Sequence, residues 1–336
     1  MPSRYFIFSY VFFAFSIGLS WFVLAPLVPS LLDAYHVGLP AVLLLISLYG
    51  YAMVLLSLPV GWWSARTSVA TILRWAVVLS AAGLLLRAFA TDYALLVIGQ
   101  MIAAAAYPLT ISPIGSILDA AASSRRSAVT GSAIGLLFVG MAVGAFVGPH
   151  LFAALGLHDT LWLIALVNWM FGLNLWRAAG RLRKPYFPRH APKHWVIGSK
   201  WWIVGFGVAS ISVMLGSVSS AALLHLHIPN ATVWSGQLTA LTFLGSGIGA
   251  VAFGLWGGRM ASLRPLLSGL ALGSWLLLLG IGLQLTGYWT LSPSFLFIGF
   301  FFFGALGNGW YALSLERAAD AARAKNQAGL ATAGYS

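Results

Sequence analysis

Apolar residues run in blocks of roughly twenty, and short polar or basic stretches separate them. Neither strand alternation nor a soluble amphipathic stripe competes with this pattern. Ten such blocks fall at about 7–31, 39–62, 70–90, 93–118, 129–155, 160–177, 201–225, 232–257, 265–286 and 293–315. A bilayer core is crossed by a helix of about 20 apolar residues. In lipid every backbone group must be bonded internally, which a helix achieves. The pattern therefore predicts an all-α, polytopic membrane protein with about ten transmembrane helices. The first block is too long for a signal-peptide core, so it reads as a retained helix.

Composition agrees. Hydrophobic residues make up 60% of the 336 residues and charged residues 7%, against about 25% charged in soluble domains. The net charge of +12 would suggest nucleic acid in a soluble chain. Here the basic residues sit in alternate loops, and a nucleic-acid partner is not expected. With the N-terminus placed in the cytoplasm, seventeen of the eighteen Lys and Arg fall on the inner side and only Arg87 falls outside. Such a bias sets orientation. There is no cysteine, so disulfide and thiolate chemistry are excluded. The basic stretch between the sixth and seventh blocks holds Arg181, Arg183, Lys184, Arg189 and Lys193. It reads as a cytoplasmic tether, with anionic lipid as a further partner.

The chain repeats itself. Gly61 through Arg66 follows the second block and Gly254 through Arg259 follows the eighth, 193 residues later. Asp119 and Arg125 follow the fourth block, as Glu316 and Arg323 follow the tenth. Two parallel six-helix halves, offset by about 195 residues, account for both pairs. Residues 1–178 form the N-terminal six-helix bundle, 179–200 the linker and 201–336 the second bundle. By the same offset a partner for the fifth helix would start near 327, so the 336 residues are expected to lack helices 11 and 12 and to hold an incomplete second bundle.

In these features the chain resembles the major facilitator superfamily. Gly61 and Arg66 match that family's loop 2–3 signature, with Ala65 in place of its Asp and Ser68 in place of a later Gly. Gly254 and Arg259 match the second copy, with Gly258 in place of the Asp. The resemblance implies a conformational latch, with Asp119 and Glu316 as acidic partners of the arginines. In the fifth span Gly135, Gly144 and Gly148-Pro149 match the family's antiporter spacing, while Phe152-Ala153 replaces its final Gly-Gly. Small residues at this spacing also pack helices closely without any directional meaning.

The resemblance implies a secondary transporter working by alternating access, with a small-molecule substrate held near mid-membrane between helices 1, 4, 7 and 10. Substrate-binding candidates are Gln100 and Tyr107 in span 4, Asn308 and Tyr311 in span 10, Gln237 in span 8, and Ser20 and Trp21 in span 1. Residues three or seven apart share a helical face. Interhelical hydrogen bonding, at about 0.6 kcal/mol each, is the competing role. The six acids all fall at helix ends or in loops, which argues against a mid-membrane carboxylate carrier. His150, near the outer end of span 5, and His225 and His227, near another outer helix end, are titratable candidates for a coupling proton, with a place in the headgroup region as the competing role. An aromatic, neutral, glycine-rich cavity suits an amphipathic or weakly polar organic solute. Efflux by antiport is the favoured direction. An uptake or facilitated-diffusion carrier and an inactive remnant are the alternatives. No enzyme motif, metal cluster or cofactor site is evident, and a monomer in a bacterial inner membrane is expected.

Overall fold

The computed structural model describes residues 3–64, 66–119, 126–181, 231–288, 293–323 and 331–332. These residues form helices α1 (Arg4–Phe22), α2 (Val28–Tyr35), α3 (Leu39–Ser64), α4 (Val69–Ala88), α5 (Tyr93–Ile111), α6 (Ile114–Asp119), α7 (Arg126–Ala179), α8 (Ala231–Gly257), α9 (Arg264–Leu285) and α10 (Pro293–Arg323). Eight described helices are long and apolar enough to cross a membrane. The expected seventh span, 201–225, His225 and His227, and nearly all of the linker lie outside the described residues.

Local chemistry sets the helix starts. Ser3 Oγ accepts from the Phe6 amide, Ser68 Oγ from the Thr71 amide and Asp92 Oδ1 from the Leu95 amide. Each satisfies an N–H left without a partner by the helix geometry. Helix α7 holds the expected fifth and sixth spans in one continuous stretch. It breaks at Gly156 (φ 78°, ψ 175°), a left-handed conformation that glycine adopts without a Cβ clash. We call the parts before and after this residue α7a and α7b. Asn168 and Gly172 in α7b lie beside Ser80 and Val77 of α4, so α7b runs back antiparallel to α4.

The helix surfaces carry large apolar side chains in the open, Val54 at 76% exposure and Phe146 at 69% among them. Patches of this kind are untenable in water and ordinary against lipid. Packing between helices depends instead on small residues. A Cβ on Gly99 would lie 2.7 Å from the Arg87 amide nitrogen, and one on Gly144 2.6 Å from the Leu19 carbonyl oxygen.

We call the end of the bundle where α1 begins the basal end, and the opposite end distal. The buried core is divided between them. One cluster joins residues of both halves, from Phe6 and Ile134 to Trp310 and Leu315. The other two lie toward the distal end and do not mix halves. One holds Leu19, Leu45, Leu96 and Leu161 of the first half; the other holds Leu238, Ile281 and Phe300 of the second. Among the described residues the halves share a core basally and keep separate cores distally.

Candidate functional site

The inter-half seam is built on α7a, which has glycines on two faces. Gly144 and Gly148 lie against the backbone of α1, where Cβ atoms would come within 2.6 Å of the Leu19 oxygen and 2.7 Å of the Val23 oxygen. Gly135 faces the other way. Its Cβ would fall 2.6 Å from the carbonyl oxygen of Gly247 in α8, and a Cβ on Gly254 would fall 2.7 Å from that of Ser127. The residues with antiporter-like spacing thus split their work. Two hold α7a to its own half and one holds it to the other half. Pro149 and His150 lie at the exposed distal part of α7a, with the His150 ring 5.5 Å from that of Phe146.

Basally, polar contacts close the seam. Ser127 donates a hydrogen bond to the carboxylate of Glu316. Arg126 forms an ion pair with Asp320 at 3.7 Å. Thr332 donates to the Ser112 carbonyl oxygen at 2.9 Å and accepts from the Gly115 amide at 3.3 Å. Arg66 lays its guanidinium on the ring of Trp62, 3.4 Å from the centroid, and Arg259 is exposed. Gly61 is buried, and its carbonyl accepts from Ser64. Asp119 closes α6, and its side chain lies outside the described residues. Glu316 departs from the expectation that acids sit only at helix ends or in loops. Helix α10 continues past it to Arg323, and Glu316 is 5% exposed.

Aromatic rings occupy the middle of the seam. The rings of Phe22 in α1 and Phe243 in α8 meet edge to face at 4.5 Å, and Phe138 in α7a stacks on Phe243 at 6.1 Å. Trp21 stacks on Tyr49 at 5.0 Å and touches Tyr107 at 5.5 Å, and its Nε1 donates to the Ile46 carbonyl oxygen. Tyr107 and Tyr311 both pack against the core cluster shared by the two halves. Of the residues expected to bind substrate, Trp21, Tyr107 and Tyr311 therefore lie along that shared cluster.

The other candidates do not join them. Asn308 is buried in the second half, where its Nδ2 donates to Ser246 Oγ at 2.7 Å. Gln237 is exposed near the start of α8. Ser20 is buried, and its hydroxyl donates to the Ser16 carbonyl oxygen. Gln100 shares a helix with Tyr107 but turns toward Arg87, its Oε1 accepting from Arg87 Nη1 at 2.9 Å. Arg87 is the largest departure from expectation. It is 1% exposed, inside the first half rather than in an outer loop. Its guanidinium folds back from the last turn of α4, and Gly99 leaves the room for it. The signal in the sequence was its isolation as the single basic residue on the outer side.

A family model described as Major Facilitator Superfamily matches residues 10–336. The chain belongs to the Major Facilitator Superfamily. No curated protein matches its sequence. Among solved structures, the human organic anion transporter MFSD10 (TETRAN) is similar at 14% identity and a TM-score of 0.71, over 100% of this chain and 91% of that one. A bacterial homologue of the iron transporter ferroportin in an outward-facing state is similar at 15% identity and the same TM-score, over 100% of this chain and 90% of that one. At these identities the likeness speaks for the fold. Family and fold together make the protein an integral membrane transporter.

Proposed function

We propose that this major facilitator protein moves a small amphipathic organic solute by alternating access, with export by antiport as its direction. The observation that carries the reading is the division of the core. The halves are fused basally through Glu316, Ser127, Arg126 and Asp320, and keep separate cores distally. The basic loops assign the basal end to the cytoplasm, so this arrangement is the outward-facing member of the cycle. Rocking one half against the other around the aromatic seam would break the basal contacts and open the opposite side. Trp21, Tyr107 and Tyr311 are the substrate-contacting residues in this reading, because they line the seam where the halves part. Gly135 and Gly254 let α7a and α8 slide past one another at backbone distance. The spacing of Gly135, Gly144, Gly148 and Pro149 supports the antiport direction.

Transport assays in proteoliposomes test this. Aromatic and amphipathic organic solutes are expected to exchange across the membrane. Replacing both Tyr107 and Tyr311 by Ala is expected to lower their flux at least ~10-fold, as loss of two contacts of about a kcal/mol each would do. Movement of heavily hydroxylated or multiply charged solutes alone would contradict the reading.

A further inference from the structure

Arg87 is a buried cation for which no described residue supplies an ion-pair partner. Its Nη1 donates twice, to the carbonyl oxygen of Ser20 and to Oε1 of Gln100, both at 2.9 Å. Gln100 is itself held by a bond from its Nε2 to the Leu45 carbonyl oxygen at 3.2 Å. Four helices, α1, α3, α4 and α5, thus fix this side chain. Two of its donors, Nε and Nη2, are buried without an acceptor among the described residues. The hydroxyl of Tyr49 is buried and lies within hydrogen-bonding reach of the guanidinium, though the two groups are not aligned for a full bond.

An unpaired guanidinium in a low-dielectric interior is strongly unfavourable, and so is each unmade bond to a charged donor. The position of the unused donors is specific. Nη1 is taken, and the Nε–Nη2 edge is left. That edge presents two parallel N–H bonds at the spacing of the two oxygens of a carboxylate. Tyr49 adds a third donor beside it. The Tyr49 ring stacks on Trp21, which in turn touches Tyr107. A continuous aromatic path therefore joins the guanidinium to the inter-half seam.

We propose that Arg87, held by Gln100 and flanked by Tyr49, is a receptor for a single carboxylate, and that the solute is an amphipathic monocarboxylate whose apolar body lies against Trp21 and Tyr107. This rests on the transport reading for the path the solute takes, but its test does not depend on transport. One charge is matched by one charge, so a dianion would leave excess charge buried, and a neutral amide would leave the guanidinium unpaired.

The test is equilibrium binding to the purified full chain in detergent, with benzoate, benzamide and phenylphosphonate as probes. Benzoate is expected to bind, and the other two to bind at least ~10-fold more weakly, as befits a lost charge-assisted pair. Arg87→Gln is expected to abolish benzoate binding. Tyr49→Phe is expected to weaken it ~10-fold. That second variant keeps Arg87, its two bonds from Nη1 and the ring that stacks on Trp21, so folding is preserved and a purely structural Arg87 would leave binding unmoved. Absence of benzoate binding, equal binding of benzamide, or unchanged benzoate affinity in Tyr49→Phe overturns the proposal. Benzoate binding without flux of any solute would keep it and sink the transport reading instead.

Discussion

Asn308 and Arg87 show how neighbouring helices decide what a polar side chain does. Asn308 shares a helix face with Tyr311, so spacing alone assigns both to a cavity. Ser246 of α8 stands opposite and takes the Asn308 amide, which makes it an interhelical tie. Asn308→Ala is therefore expected to lower thermal stability by ~1 kcal/mol, in the range measured for such bonds in membranes, with benzoate affinity unchanged. A large loss of affinity at unchanged stability would return Asn308 to the binding set. Tyr107 and Tyr311 were legible as candidates because spans 4 and 10 are repeat-equivalents, and Trp21 because of its place in span 1. Arg87 was not. A charge-counting rule places any arginine near a helix end in the adjacent loop, and the inward fold of this one depends on the glycine at position 99, in another helix.

At the scale of elements, the blocks of apolar sequence located nine of the ten expected spans among the described helices. Boundaries moved where a local feature intervened. Span 4 divides into α5 and α6, with Pro113 between them, and spans 5 and 6 run together to a break at Gly156. The glycines of α7a announced close packing through their spacing, but not their partners, because spacing defines a face and says nothing of which helix lies on it. The partition between faces predicts two different phenotypes. Gly144→Val forces α1 and α7a apart within one half and is expected to cost ~1–3 kcal/mol of stability, as overpacking does, read as a lower unfolding temperature. Gly135→Val separates α7a from α8 across the seam. It is expected to leave the first half intact while raising the labelling rate of a cysteine placed at Val139, which lies against Gly247 on the same face of α7a. Equal destabilisation without increased labelling in Gly135→Val would mean that α7a does not divide its faces between the halves.

For the whole molecule, the claim that matters is that two bodies move about a shared seam. The basal closure includes the Ser127–Glu316 and Arg126–Asp320 contacts, and the Glu316 carboxylate in it is buried. Removing a buried charged acceptor costs about 1–3 kcal/mol, which shifts a two-state balance by about 5- to 150-fold. The natural absence of cysteine permits labelling at chosen pairs without first altering the protein. The most direct test is pulsed electron–electron distance measurement in lipid nanodiscs on two spin-labelled pairs, Arg66 with Arg259 at the basal end and Asp33 with Tyr288 at the distal end, with and without Glu316→Ala. Rocking predicts that the substitution lengthens the basal distance and shortens the distal one together. A basal distance that lengthens while the distal one stays fixed, or two distances that never change, would contradict it.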